Sequence, residues 1–197
     1  MTEISFLASP EHTPEAQALF DDDLSDLGYV MNVSKLWAYQ PATLTGLFDL
    51  MGTATSGHRL SMRQRGILVA ACASTLGDSY CSLAWGTKLA KASDESTAAG
   101  VLRGDDDALN ASERAMARWA RTVARDPNGT SASDVQELRD VGFSDGEIFA
   151  ITTYVALRIA FSTVNDALGA RPDAVLRSSA PDEVLQAVTF GRPIEDG

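Results

Sequence analysis

Residues 61–85 read SMRQRGILVAACASTLGDSYCSLAW, and this stretch decides the fold. Ser61 and Gln64 have the spacing of a capping box, which predicts a helix start at this point. The segment they introduce, Ile67 to Leu76, is apolar almost all round, and a helix without a polar face belongs in a core. Gly77 ends it, and Asp78 is placed to cap a second helix through Tyr80, Cys81, Leu83, Ala84, Trp85 and Leu89. A tight helix-to-helix junction therefore carries a carboxyl, a phenol, a thiol and an indole close together.

Similar punctuation continues outward. Pro41 opens a helix through Leu44, Leu47, Phe48 and Met51, and Gly52 to His58 reads as a small-residue linker. Tyr29 to Ala38 reads as a short helix carrying Val30, Val33 and Trp37. Thr13, Pro14 and Glu15 start the first helix, with the acidic run Asp21 to Asp23 on its solvated side. Beyond the junction, Ser93 to Leu102 is helical and Gly104 to Asp107 is a solvated acidic turn without the pattern of a calcium loop. Asn110 with Glu113 forms a second capping box, opening a helix through Met116, Trp119, Ala120 and Val123. Ser133 with Gln136 caps a short helix closed at Gly142. Ser144 with Glu147 starts the longest helix, with Ile148, Ile151, Val155, Ile159 and Ser162 on one stripe and Gly169 at its end. A final helix lies around Asp182 to Val188. No run alternates apolar and polar residues as a strand does, so the expected architecture is all-α, one domain of about eight to ten helices.

Composition narrows the function. The chain has 197 residues and a net charge of -11, with 45% hydrophobic and 22% charged residues, too apolar for a disordered protein. The acidic balance excludes nucleic acid as a partner, since Arg63 and Arg65, and Arg114, Arg118 and Arg121, read as solvated faces rather than a basic patch. No apolar run approaches the roughly 20 residues that span a bilayer, and Met1 to Pro10 lacks the pattern of a signal peptide. The expectation is a cytoplasmic protein with no membrane partner. Two cysteines and two histidines can build neither a disulfide scaffold nor a histidine-rich metal centre, so no metal or cofactor is expected. His58 falls in the linker with no sequence-local partner to make it a base.

The order of these segments is informative in itself. Gly28-Tyr29-Val30-Met31-Asn32, the Pro41 helix, Leu60 to Arg65 and the Gly77 to Trp85 junction resemble the alkylhydroperoxidase D-like, carboxymuconolactone decarboxylase superfamily. Gly142 to Ile148, then Asn165 to Gly169 and Pro172-Asp173, resemble the tail of its peroxidase-related branch. The resemblance covers about residues 28 to 173, leaving residues 1–27 as an N-terminal helical extension and 174–197 as a C-terminal helix and tail. It implies an all-helical, alkylhydroperoxidase D-like subunit that forms homo-oligomers, as dimers, trimers or hexamers. In active peroxidases of this superfamily a glutamate precedes a Cys-x-x-Cys pair, and a histidine follows four residues after the second cysteine. The second thiol attacks the peroxide, the first resolves it as a disulfide, and glutamate with histidine relays protons. Here the glutamate position is Gly66, the first cysteine position is Asp78, the second is retained as Cys81, and the histidine position is Trp85. Tyr80 stands between the two cysteine positions.

Without a thiol at position 78, a sulfenic acid on Cys81 has no local partner, so the two-cysteine cycle is closed to this site. Cys72, in the apolar helix, reads as core. An ionised Asp78 also opposes thiolate formation at Cys81. Three functions fit this pattern. The first is a divergent protein without the peroxidase site that binds a small apolar or aromatic ligand near Asp78, Tyr80 and Trp85, with Gly66 and Trp37 also lining the pocket. The second is a cofactor-independent acid/base enzyme of decarboxylase or isomerase type, using Asp78 with Tyr80 as a donor. The third is a one-cysteine peroxidase acting through Cys81. Beside each stands a plainer role: Asp78 as a helix cap, Cys81 as a small buried hydrophobe, and the tryptophans as core aromatics.

Overall fold

Capping chemistry sets most helix boundaries in the computed structural model, which describes residues 5–58 and 60–196. Thr13 caps α1 (Pro14–Leu27) with its side chain. Then come α2 (Asn32–Trp37) and α3 (Pro41–Thr55), followed by α4 (Met62–Leu76) and α5 (Ser79–Ala92). The chain continues through α6 (Glu95–Arg103), α7 (Ala111–Arg125), α8 (Ala132–Asp140) and α9 (Asp145–Leu168), and ends with α10 (Leu176–Ser179) and α11 (Asp182–Ala187). There is no strand among the described residues, and the helix count slightly exceeds expectation because α10 has no sequence cap.

Reciprocal capping boxes form at Ser61 with Gln64, Asn110 with Glu113 and Ser144 with Glu147, as the spacing predicts. The α8 box is instead Ser131 with Asp134, two residues before the expected Ser133 and Gln136, because the Asp134 carboxylate accepts the Ser131 amide at 2.7 Å. Gly52 to Thr55 continues α3 rather than forming a linker. Asp23 is not solvated: it is buried and accepts the Met31 amide at 2.9 Å, fixing the approach to α2. Two arginines read as surface charges are likewise tied down. Arg63 forks onto Glu113 at 2.7 and 3.2 Å, and Arg121 onto Asp106 at 2.7 and 2.9 Å, so Asp106 is not free in a solvated turn.

The core is built around α4, which packs against α5, α6, α7 and α9. Every residue from Ile67 to Ala73 is at most 1% exposed, as a helix apolar on all sides requires. Each large aliphatic side chain buried there contributes about 1.5–3 kcal/mol. The long α9 also packs against α3 and α7. By length and composition α9 alone among the described helices could cross a membrane, with a mean hydropathy of 1.4 in an 18-residue window within Asp145–Ala167, which a search for uninterrupted apolar runs misses. Its packing on four other helices, α3, α4, α7 and α8, and a buried arginine in its middle are those of a core helix.

Both ends of the described residues dock on this body. The Phe6 amide donates to the Leu168 carbonyl at 2.9 Å. Residues 188–196 form a strap over the start of α5: the Ser79 hydroxyl donates to the Arg192 carbonyl at 2.8 Å and accepts the Arg192 amide at 2.9 Å. Asn32 holds the strap's far end through Glu195 Oε2 at 2.9 Å.

Candidate functional site

The site begins at the α4–α5 junction. Gly77 takes φ of 78°, a left-handed conformation that closes α4 without a Cβ penalty and turns the chain into α5. Asp78 follows as the cap, its Oδ1 accepting the Cys81 amide at 2.8 Å. The whole residue is 0% exposed, and Oδ2 is buried with no hydrogen-bond partner. A buried oxygen of this kind carries a desolvation cost unless something else meets it.

From this cap α5 presents Cys81, Trp85 and Lys88 at i, i+4 and i+7, one stripe of the helix. Facing it, α9 buries Tyr154, Arg158, Phe161, Ser162 and Asn165, again at helical spacing. The two stripes meet at the thiol, where Arg158 Nη2 lies 3.5 Å from Cys81 Sγ. The same guanidinium stacks 5.1 Å from the Trp85 ring and 5.1 Å from the Phe161 ring. Lys88 Nζ is 4.7 Å from the Trp85 ring, so two cations address one indole. Trp37 stacks on Phe161 at 5.8 Å and donates its Nε1 to Asn165 Oδ1 at 2.7 Å, while Phe48 meets Phe161 edge-on at 5.5 Å.

Electrostatics hold the thiol protonated. Burial pushes Cys81 well above the ordinary thiol range, and the Asp78 carboxylate adds to this, while Arg158 and Ser162 pull the other way. Burial likewise pushes Cys72 up to about 12. Both cysteines are free and buried, and the thiolate rather than the thiol is the nucleophile.

The structure therefore brings Asp78, Cys81 and Trp85 together, and reaches Trp37 through Phe161. Tyr80 is not among them. Its hydroxyl turns to the other side of α5 and donates a short hydrogen bond to Asp173 Oδ2, whose Oδ1 accepts the Asn32 amide at 2.7 Å. Tyr80 is thus a tie between α5, α2 and the chain after α9, and a pocket walled jointly by Tyr80 and Trp85 does not form. Gly66 is also displaced from the expected role. It is the close contact of α4 with α5, where a Cβ would stand 3.0 Å from Leu89 Cβ, so a side chain there would push the two helices apart by a few tenths of an ångström.

The residues that sequence reasoning missed are Arg158, Phe161, Lys88 and Asn165. A signal for Arg158 exists: it is the sole charge between Ile148 and Asn165, four residues after Tyr154 and seven after Ile151 on the buried stripe. Neither histidine reaches the thiol. His58 packs at 3.4 Å from the site of a Cβ on Gly146, in the first turn of α9 and about 18 Å along the helix from Arg158. His12 lines an N-terminal cleft of about 250 Å³ with Lys35 and Tyr39. At the Cys81 centre, Asp78, Cys81 and Arg158 are buried, Trp85 is half-buried and Lys88 is exposed, so the indole and the ammonium form its outer edge. No group of metal-ligating side chains occurs among the described residues.

Comparison with solved structures gives this all-helical body the alkylhydroperoxidase D-like fold. An uncharacterized peroxidase-related protein from Silicibacter sp. TM1040 superposes with a TM-score of 0.79 at 24% identity, covering 89% of this chain and 95% of its own. A second, described as an alkylhydroperoxidase AhpD core from Ralstonia eutropha JMP134, gives a TM-score of 0.75 at 20% identity over 96% of this chain and 100% of its own. The debrominase Bmp8, as a cysteine-to-alanine variant in complex with 2,3,4-tribromopyrrole, gives 0.70 at 17% identity over 88% of this chain and 95% of its own. No family model matches the sequence, and no curated protein is significantly similar to it.

Proposed function

We propose that this chain is a divergent member of the alkylhydroperoxidase D-like superfamily in which a ligand-binding centre replaces the two-cysteine peroxidase site. The ligand is a small apolar or aromatic molecule taken at Trp85, beside Asp78 and Cys81. The observation that carries this reading is the environment of Cys81. Its neighbours are a buried carboxylate, a buried guanidinium and an indole, where a two-cysteine peroxidase needs a resolving thiol and an imidazole. The debrominase of the same fold, solved with a tribrominated pyrrole, supports a small aromatic ring as the kind of ligand.

The reading includes self-association in the cytoplasm. Along α9 the outward residues Phe149, Ala156 and Ala160 are exposed, Phe149 by 74%, and Leu50 of α3 is 57% exposed. A second copy of the chain is the simplest cover for so apolar a helix face.

A second reading, acid/base chemistry at Asp78, is favoured by one detail: its Oδ2 is buried without a hydrogen-bond partner. The one-cysteine peroxidase reading has less support, because burial keeps Cys81 a thiol.

Titration with small aromatic compounds, including 2,3,4-tribromopyrrole, followed by tryptophan fluorescence tests the proposal. A saturable change in the wild type that Trp85→Phe loses is the expected result. No saturable change with any compound, or one unaffected by Trp85→Phe, removes the ligand-binding reading.

A further inference from the structure

Arg158 is the least explained group in the molecule. It is 3% exposed, yet none of the ion pairs among the described residues includes it, and its Nε is buried without a hydrogen-bond partner. Its one side-chain hydrogen bond runs to the neutral thiol of Cys81. Taking a guanidinium out of water is unfavourable unless an anion meets it, and the buried carboxylate of Asp78 lies outside ion-pair distance. On the outer side of the same indole stands Lys88, which also has no carboxylate partner among the described residues. Partial desolvation of its ammonium, then repulsion from Arg158, lower the Lys88 pKa, although the residue as a whole is exposed. Arg65 belongs to the same neighbourhood. Its Nε is buried without a partner, and it joins Arg158 in pulling down the Tyr154 hydroxyl that burial raises. Arg158 and Lys88 thus both address the Trp85 ring without a carboxylate partner among the described residues.

We propose that the ligand of this centre is a small planar anion, an aromatic carboxylate, whose ring lies on Trp85 and whose charge is met by Arg158 and Lys88. This rests on the ligand-binding reading and adds the charge of the ligand to it. Arg158 is the recognition residue, because a planar fork of donors matches a carboxylate and remains charged when buried. Lys88, at the exposed edge, attracts the anion and closes over it. Phe161, itself stacked on Trp37, packs against the guanidinium.

Calorimetric titration of the full chain with matched acid and amide pairs tests this: benzoate against benzamide, and pyrrole-2-carboxylate against pyrrole-2-carboxamide. The expected result is that at least one acid binds tenfold or more tightly than its amide, and that added salt narrows the gap. Arg158→Met and Lys88→Met each reduce the preference to within about threefold. Lys88 is exposed, so its variant keeps the test open even where Arg158→Met fails to fold. Amides that bind as tightly as acids overturn the charge assignment and leave the ligand-binding reading standing. An acid preference that survives Lys88→Met and a folded Arg158→Met also overturns it. Binding of neither acids nor amides overturns both.

Discussion

At Asp78 two roles coincide in one side chain, and they can be separated. Oδ1 is committed to the Cys81 amide, while Oδ2 is buried without a partner. Asp78→Ala removes the cap and is expected to cost about 1 kcal/mol, read as a lower Tm, whereas Asp78→Asn retains a capping oxygen and stays within a few tenths. Equal losses in both variants would mean that the carboxylate charge, not the cap, stabilises the junction. Asp166, near the end of α9, gives the pH dependence. Burial pushes its carboxyl from 3.8 up to about 7, with repulsion from Asp78 adding and Arg192 opposing. The native state then keeps a proton that the unfolded chain releases, so stability falls as pH rises from about 4 to about 7 and levels off above. Thermal melts across that range should show the decline in the wild type and its loss in Asp166→Asn. A wild-type Tm that climbs relative to the variant over the same range would contradict the sign.

At the scale of elements, the strap over α5 depends on a close approach. Gly191 has φ of 74°, and a Cβ there would stand 2.6 Å from the Gly77 carbonyl and 2.7 Å from Ser79 Oγ. Gly191→Ala is expected to lift residues 188–196 from the junction at a cost of about 1–3 kcal/mol. Limited proteolysis reads this directly, as faster cleavage near the C-terminus; an unchanged pattern with an unchanged Tm would show that the strap is not held there. Helices of this kind were legible in the sequence because caps are local: Ser61 with Gln64 and Asn110 with Glu113 need only four adjacent residues. The strap was not, since Ser79 and Arg192 meet across 113 positions. The site divides the same way. Asp78, Cys81 and Trp85 follow from one helix and its cap, but Arg158 arrives from α9 by tertiary packing. The stripe read for α9 placed Ile159 inside, whereas the structure turns Arg158 inward and leaves Ile159 half-buried. Tyr80 faced the wrong way for a similar reason: its partner Asp173 lies 93 residues away.

For the whole molecule, an acidic chain with one apolar helix face exposed is expected to associate through it. Phe149→Asp on α9 should shift the protein toward the monomer in sedimentation, leaving its helical content intact; an unchanged assembly would place the contact elsewhere. The proposed function assigns the thiol centre of this fold to recognition rather than to disulfide chemistry. The resemblance puts Gly66 at the relay-glutamate position, Asp78 at the resolving position and Trp85 at the histidine position, and in the structure Cys81 is a buried thiol. The most direct measurement is peroxide consumption with dithiothreitol as reductant, comparing wild type with Cys81→Ser and following intact mass. Equal background rates and no intramolecular disulfide are predicted. A rate that depends on Cys81, or a Cys72–Cys81 bond after mild oxidation, would contradict the account.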